Sequence, residues 1–369
     1  MHGPLFGNTT HLWVDAICIN QKDLDERAAQ VKIMGQIYSN SNGVMVWLGK
    51  SLPKTKRAVE LMQQLSQIPE EKFGFMKRCK LSRKEDYENL GIEFVSLDDW
   101  RIVRSFMERD WFKRVWTVQE YCIPQFVTAI SGEYQVPFAS LFQVSDMLIC
   151  TDWCAQLGNL ELDAESSSAY TALLKECATG SLTGHSTKRY NEILRKPIQD
   201  LRYIENIHPG VQQFALVQIK NWLWPEDDIH EVEKVDLLER VQMIRGKTAT
   251  DPRDKIHGLL DAINARLEKC PEIGMVVPNY APSNPVELVY TDFVYKAIRR
   301  DGNLLVFTTI NDEAFRRTQG LPSWVPDMSI LMCPNRTVNR QSWSPFPCTD
   351  HFYIAPRLLG QYSLQIQGI

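Results

Sequence analysis

The amino-acid sequence predicts an α/β fold built on a parallel sheet, and three stretches near its start carry that prediction. HLWVDAICIN (11–20) is a nearly continuous apolar run, broken by Asp15, of the length of a buried strand. LDERAAQVKIMGQIYSNS places Leu24, Ala28, Val31, Met34, Gly35 and Tyr38 on one helical face. VMVWLG (44–49) is a second short apolar run closed by glycine. Strand, helix and strand in such quick succession make a βαβ unit, with parallel strands and a right-handed crossover.

The helix has a start signal of its own. Asp23 stands at the N-cap position and Glu26 follows three residues later, the spacing of a capping box. Asn40, Ser41, Asn42 and Gly43 end it. Residues 50–100 read as helical and charged, with a basic loop around Lys77–Lys84. SLDDWRIVRSFMERDWFKRVWTVQEYC has helical spacing from Asp98 or Asp99 onward, and FVTAISG (126–132) is a third strand. The run 136–245 is patterned as helix, broken at Ser166–Ser168 and near Gly180–Lys188. In DPRDKIHGLLDAINARLEK, Asp251 is placed to cap and Pro252 to open a helix. PVELVYTDFVYKAIRRDG is an amphipathic helix closed by Gly302. LLVFTT, LPSWVPDMS and the Trp/Pro-rich tail suggest extended structure. These patterns divide the chain at residue 135, with the sheet domain in 1–135 and a mainly helical region, carrying a small β-containing part, in 136–369.

Composition narrows the function. Hydrophobic residues make up 44% and charged residues 23% of 369, enough apolar sequence for a large core in two or three domains. A net charge of −4 argues against a nucleic-acid partner or an acidic membrane surface. MHGPLFGNTT lacks the basic and apolar regions of a signal peptide, and no apolar run reaches the length of a membrane span. Nine cysteines without paired spacing point to a reducing, cytoplasmic setting.

Three tempting motifs fail on spacing. RGKT (245–248) lacks the glycine that opens a phosphate loop, because Val241 holds that place. Cys150, Cys154, Cys177 and His185 lack the second ligand pair of a structural zinc site, so no metal is assigned. No serine elbow or paired-histidine zinc helix is present. What remains is Asp15, Asn20, Gln21, Arg114, Trp116, Gln119 and Glu120. Ligands of an open parallel sheet sit beyond the carboxyl ends of its strands, where Asn20 and Gln21 fall. Trp116 and Glu120, four apart, share one helical face. Arg114, six before Glu120, lies off it. Two readings stay open: Glu120 as a structural acid among core tryptophans, or as one wall of a crevice.

Together the blocks resemble a known family. LWVDAICINQKDLDERAAQVKIMGQIYSNSNGVMVWLG is similar to the signature of the fungal heterokaryon-incompatibility (HET) domain, and WFKRVWTVQEYC to its closing motif. DPRDKIHGLL and LPSWVPDMS resemble two downstream blocks of such proteins. HET domains usually open with a Ser-Tyr-x-Trp-Gly-like block well upstream, which MHGPLFGNTTH does not match, so the resemblance includes an N-terminally truncated or inactive paralogue as one expectation. The resemblance implies nonself recognition and programmed cell death, through self-association or protein partners and with no cofactor. It also implies a TIR-like, flavodoxin-like sheet. Some TIR domains cleave NAD with a glutamate placed as Glu120 is in Trp116-Thr-Val-Gln-Glu120, which implies an alternative: NAD as a substrate of a glycohydrolase with Glu120 as the catalytic acid.

Overall fold

The computed structural model describes residues 11–151, 153–158, 241, 244–268, 271–302, 305–310, 316–330, 355–359 and 363–367. In chain order its elements begin with α1 (Asp15–Cys18), α2 (Leu24–Ser39), β1 (Val44–Trp47) and α3 (Thr55–Leu65). Next come α4 (Phe73–Met76), α5 (Lys84–Leu90), α6 (Leu97–Met107), α7 (Asp110–Lys113) and α8 (Thr117–Cys122). β2 (Val127–Ser131), β3 (Tyr134–Val136), α9 (Phe138–Cys150) and α10 (Trp153–Gly158) follow. After them stand α11 (Asp254–His257), α12 (Leu260–Leu267), α13 (Val286–Asp301), β4 (Ala355–Leu359) and β5 (Ser363–Gln367).

The fold is mixed α/β, and its sheet differs from the expected one. HLWVDAICIN is not a strand. The Asp15 carboxylate accepts from the Ala16 amide at 2.7 Å, and the amides of Ile17 and Cys18 both close onto the Val14 carbonyl. A side chain that offers the backbone a local acceptor competes with ladder pairing, and here it folds the apolar run into a helical turn. Of that run only Ile19 is buried; Leu12 and Ile17 are exposed. The βαβ unit is therefore absent. β1, β2 and β3 form a three-stranded sheet in that order. Val44 N–H donates to the Phe126 carbonyl and Leu48 N–H to the Ile130 carbonyl, equal steps in the same direction, so β1 runs parallel to β2. β2 and β3 are an antiparallel hairpin, and the sheet is mixed rather than parallel. Its two-residue turn begins at Gly132, whose φ of +58° is a conformation that favours glycine.

Helix α2 matches its pattern closely. Asp23 caps it by accepting from the amides of Asp25 and Glu26, and Val31, Met34, Gly35 and Tyr38 are buried. Glu26 does not close the box on Asp23; it accepts from the Asn20 amide at 2.9 Å, six residues back. Asp251 and Pro252 do not open the helix: α11 begins at Asp254 with Arg253 at its N-cap and no side-chain cap bond, and Asp251 accepts from the Arg253 amide in the turn before it. Gly302, at φ +65°, ends α13. LLVFTT, expected extended, is a 3-10 helix over Leu305–Thr309, in which the Thr309 hydroxyl donates back to the Val306 carbonyl. LPSWVPDMS is a series of turns rather than a strand, for reasons given below. The expected helical breaks at Ser166–Ser168 and Gly180–Lys188, with Cys177, His185 and most of the Trp/Pro-rich tail, lie outside the described residues.

The chain forms two compact units. One comprises Met1–Val44, Arg114–Val127 and Gln218–Ile369, the other Met45–Lys113 and Thr128–Val217. They interleave along the sequence. The second unit has an aromatic core. Trp100 and Trp153 meet edge to face at 5.4 Å, and Trp100 Nε1 donates to the Tyr87 hydroxyl, which donates to the Leu81 carbonyl. No helix among the described residues is long and apolar enough to cross a membrane.

Candidate functional site

All seven candidate residues fall in the first unit, but they serve two different centres. Asp15 opens α1, and its carbonyl accepts from Gln21 Nε2 at 3.3 Å. The Asn20 side chain accepts from the Lys22 amide at 3.3 Å. Asn20 and Gln21 are exposed and hold the loop that leads into α2. Arg114 is exposed, its backbone forming an isolated parallel bridge with Thr248. Glu120 is half-buried. The charges of Glu120, Asp15 and Arg114 are all felt by the buried Tyr38 phenol. Burial pushes that phenol well above its usual range, the Glu120 and Asp15 charges push it further, and Arg114 opposes them.

Trp116 and Gln119 point to the second centre, which sequence reasoning missed. Asp254, the first residue of α11, is almost fully buried and accepts three kinds of donor. Tyr280 OH lies at 2.6 Å, Arg27 Nη2 at 3.0 Å and Trp116 Nε1 at 3.2 Å. Burial pushes its carboxyl up, while Tyr280, Arg27 and Trp116 favour the charged form. Asp251 is held by Arg253 through Nε at 3.0 Å and Nη2 at 2.8 Å, a bidentate pair, and by Arg27 Nη1 at 3.6 Å. Against the upward push of burial, Arg253 holds the Asp251 carboxyl below its usual range. Arg253 also donates to the carbonyls of Ala281 and Asn284. The Arg27 guanidinium stacks 3.8 Å from the Tyr280 ring centre, and the His257 ring meets Tyr280 edge-on at 5.1 Å.

Two carboxylates and two guanidiniums thus balance in charge, and each is hydrogen-bonded. Such a network is costly to break at one member and fixes one geometry of the elements it joins. Those elements are α2, α8, α11 and the segment around Tyr280. Gln119 adds a bond from Nε2 to the His257 carbonyl at 3.4 Å, leaving its Oε1 without a partner. Both ring nitrogens of the fully buried His257 also lack hydrogen-bond partners, and burial pushes it down to about 4. It is neutral at physiological pH. α2 and α12 meet closely at Gly35, where a Cβ atom would stand 2.2 Å from the Asp261 carboxylate.

The remaining blocks join the same unit. Asp327 in LPSWVPDMS accepts from the amides of Arg317, Thr318 and Ser329 and from the hydroxyls of Thr318 and Ser329. These donors, working against burial, hold it ionised below the usual range and wrap the segment into turns. Arg245, of the RGKT stretch, donates to the carbonyls of Asp327, Thr309 and Ile330. RGKT is therefore an internal brace. Among the described residues no group of three histidine, cysteine or acidic side chains is placed to hold a metal ion.

The signal that could have found Asp254 was the charge order of DPRD itself, acid-proline-base-acid, read only as a helix start. Two of its three partners, Trp116 and Arg27, lie 138 and 227 residues away. Residues 6–120 match the family described as Heterokaryon incompatibility protein (HET). The HET segment, 6–120, is under a third of the chain. The chain is also 23% identical over 342 residues to Heterokaryon incompatibility protein 6, OR allele, of Neurospora crassa. That similarity covers 86% of this chain, which spans about 44% of the relative's length. It extends beyond the HET segment into the region that supplies Asp254. No solved structure matches. The HET segment contributes to both compact units, with 6–44 and 114–120 in the first and 45–113 in the second.

Proposed function

We propose that this HET-domain protein is an effector of nonself recognition that triggers growth arrest and death in fused fungal cells. It acts through protein contacts or self-association. The observation that carries this reading is the joining of the HET segment to the downstream DPRD block through Arg27, Trp116 and Asp254, within a stretch similar to an incompatibility protein. The network makes the two blocks one body, so the HET segment works in the geometry that the downstream region sets. Controlled expression in a filamentous fungus tests this. Arrest and lysis are expected with the wild-type chain, and normal growth at equal protein level would overturn the reading.

A second reading is favoured by one feature, that Glu120, Asp15 and Arg114 all act electrostatically on the buried Tyr38 phenol. In it Glu120 is the carboxylate of a TIR-type NAD glycohydrolase, with Asp15, Asn20, Gln21, Trp116 and Gln119 as supporting residues. The parallel pairing of β1 with β2 supports the TIR-like architecture that goes with it. Incubating purified protein with NAD separates the two. Turnover lost in Glu120→Gln supports the enzyme, and cell death that persists in Glu120→Gln supports the contact-based effector.

A further inference from the structure

The second unit contains a cavity of about 190 Å³ beside the start of α3. Three cations line it, Lys54, Arg101 and Arg109, with the Thr55 and Ser105 side chains and an apolar wall that includes Phe106. No acidic residue lines it. Arg109 is the informative member. Its Nη1 donates to the Leu48 carbonyl at 2.7 Å and to Ser131 Oγ at 2.6 Å, and its Nη2 to Thr55 Oγ1 at 3.0 Å. All three acceptors are neutral. Its Nε is buried without an acceptor, and its guanidinium lies 4.7 Å from the Phe106 ring centre. A half-buried guanidinium with a buried unspent donor and no carboxylate is out of balance, and buried charges are ordinarily paired.

The surroundings add to the imbalance. Thr55 Oγ1 accepts from both Arg109 and the Leu52 amide, which leaves its own proton to donate. α3 starts at this wall, and Lys54 at its N-cap supplies no capping bond, so the positive end of the helix dipole is uncompensated there. Arg101 pairs only with Asp98, whose side chain is 84% exposed, a weak contact readily exchanged for a better anion.

We propose that this cavity binds the phosphate group of a small molecule, with Arg109 as the fixed anchor and Lys54 and Arg101 as the two cations that close over it. Three cations and hydroxyl donors match a tetrahedral dianion better than a planar monoanionic carboxylate. The volume lies below the roughly 300–1,000 Å³ of drug-sized pockets, which favours a phosphate or a small monoester over a nucleotide. The site is separate from the Asp254 network and does not depend on the proposed role in cell death.

Calorimetric titration of the full chain with inorganic phosphate tests the proposal, with glycerol 3-phosphate and acetate as parallel probes. Saturable phosphate binding is expected, weakened roughly fivefold or more in Lys54→Gln and in Arg101→Gln, because each removes one charge-assisted contact. Both side chains are exposed, so these variants fold even where Arg109→Gln does not. Tighter binding of glycerol 3-phosphate would identify a monoester as the ligand, and tighter inorganic phosphate the free ion. The proposal is overturned if neither phosphate probe saturates, if acetate binds as well, or if both exposed-residue variants bind as the wild type does.

Discussion

The two compact units solve the same problem, filling a core, with different chemistry. The second unit buries Trp100, Trp153 and Tyr87 with short, neutral hydrogen bonds, and among its described residues the buried charged side chains are Asp86 and Arg104. The first buries Arg245, Lys247, Asp254, Lys255, His257 and Asp327. Apolar cores are stabilised by area and packing and tolerate changes of shape. Buried charge networks add little net stability but are intolerant of losing one partner. The contrast implies that the second unit is a scaffold, while the first is held in one arrangement that its charges specify.

The comparison breaks most visibly at Asp254. Asp254→Ala leaves the half-buried Arg27 without its closest carboxylate and the buried Tyr280 hydroxyl without its acceptor, so a loss of about 2–4 kcal/mol is expected in urea unfolding. A loss under about 1 kcal/mol would show that the network is not a unit. Gly35→Ala comes next. Its Cβ would overlap the Asp261 carboxylate, at an expected cost of about 1–3 kcal/mol. In an Asp261→Ala background most of that cost should vanish, and a double-mutant cycle reads the coupling. In the second unit, Trp100→Phe removes a hydrogen bond and some volume, for about 1–3 kcal/mol that does not vary between pH 5 and 8.

The first unit should respond to pH. Burial pushes His257 down to about 4. Above pH ~6.5, the ordinary histidine value, folded and unfolded forms are both neutral and contribute no slope. As pH falls from there to about 4, the unfolded chain takes up a proton that the buried ring refuses. Stability drops through that window, and the drop is complete below it. His257→Phe should flatten this limb, measured as unfolding midpoint against pH. Burial likewise pushes Lys247 down to about 7, so the same reasoning gives stability that rises with pH from about 7 towards the ordinary lysine value of ~10.4. The smallest effect belongs to the exposed Arg101–Asp98 pair, where Arg101→Ala should change stability by no more than ~0.5 kcal/mol.

What the sequence made legible follows the same divide. α2 and α13 carried helical periodicity with proper caps at Asp23 and Gly302, and both were readable because the forces that define them are local. VMVWLG and FVTAISG were readable as strands for the same reason. HLWVDAICIN was misread because apolar content outweighed a single acid, Asp15, whose side chain turns the backbone on itself. The Asp254 centre was out of reach. Its bonds from Arg27 and Trp116 to Asp254 join blocks more than a hundred residues apart, and no spacing rule encodes such a meeting. Trp116, taken as sharing one face with Glu120, donates instead to Asp254 across 138 residues.

The most direct test of the central claim is growth arrest in a fungal host, scored for the wild type, Asp254→Asn and Trp100→Phe at matched soluble protein levels. If the network holds the HET segment in its working geometry, Asp254→Asn abolishes arrest while Trp100→Phe retains it. Arrest that survives in Asp254→Asn, or that falls equally in both variants in step with stability alone, contradicts the account.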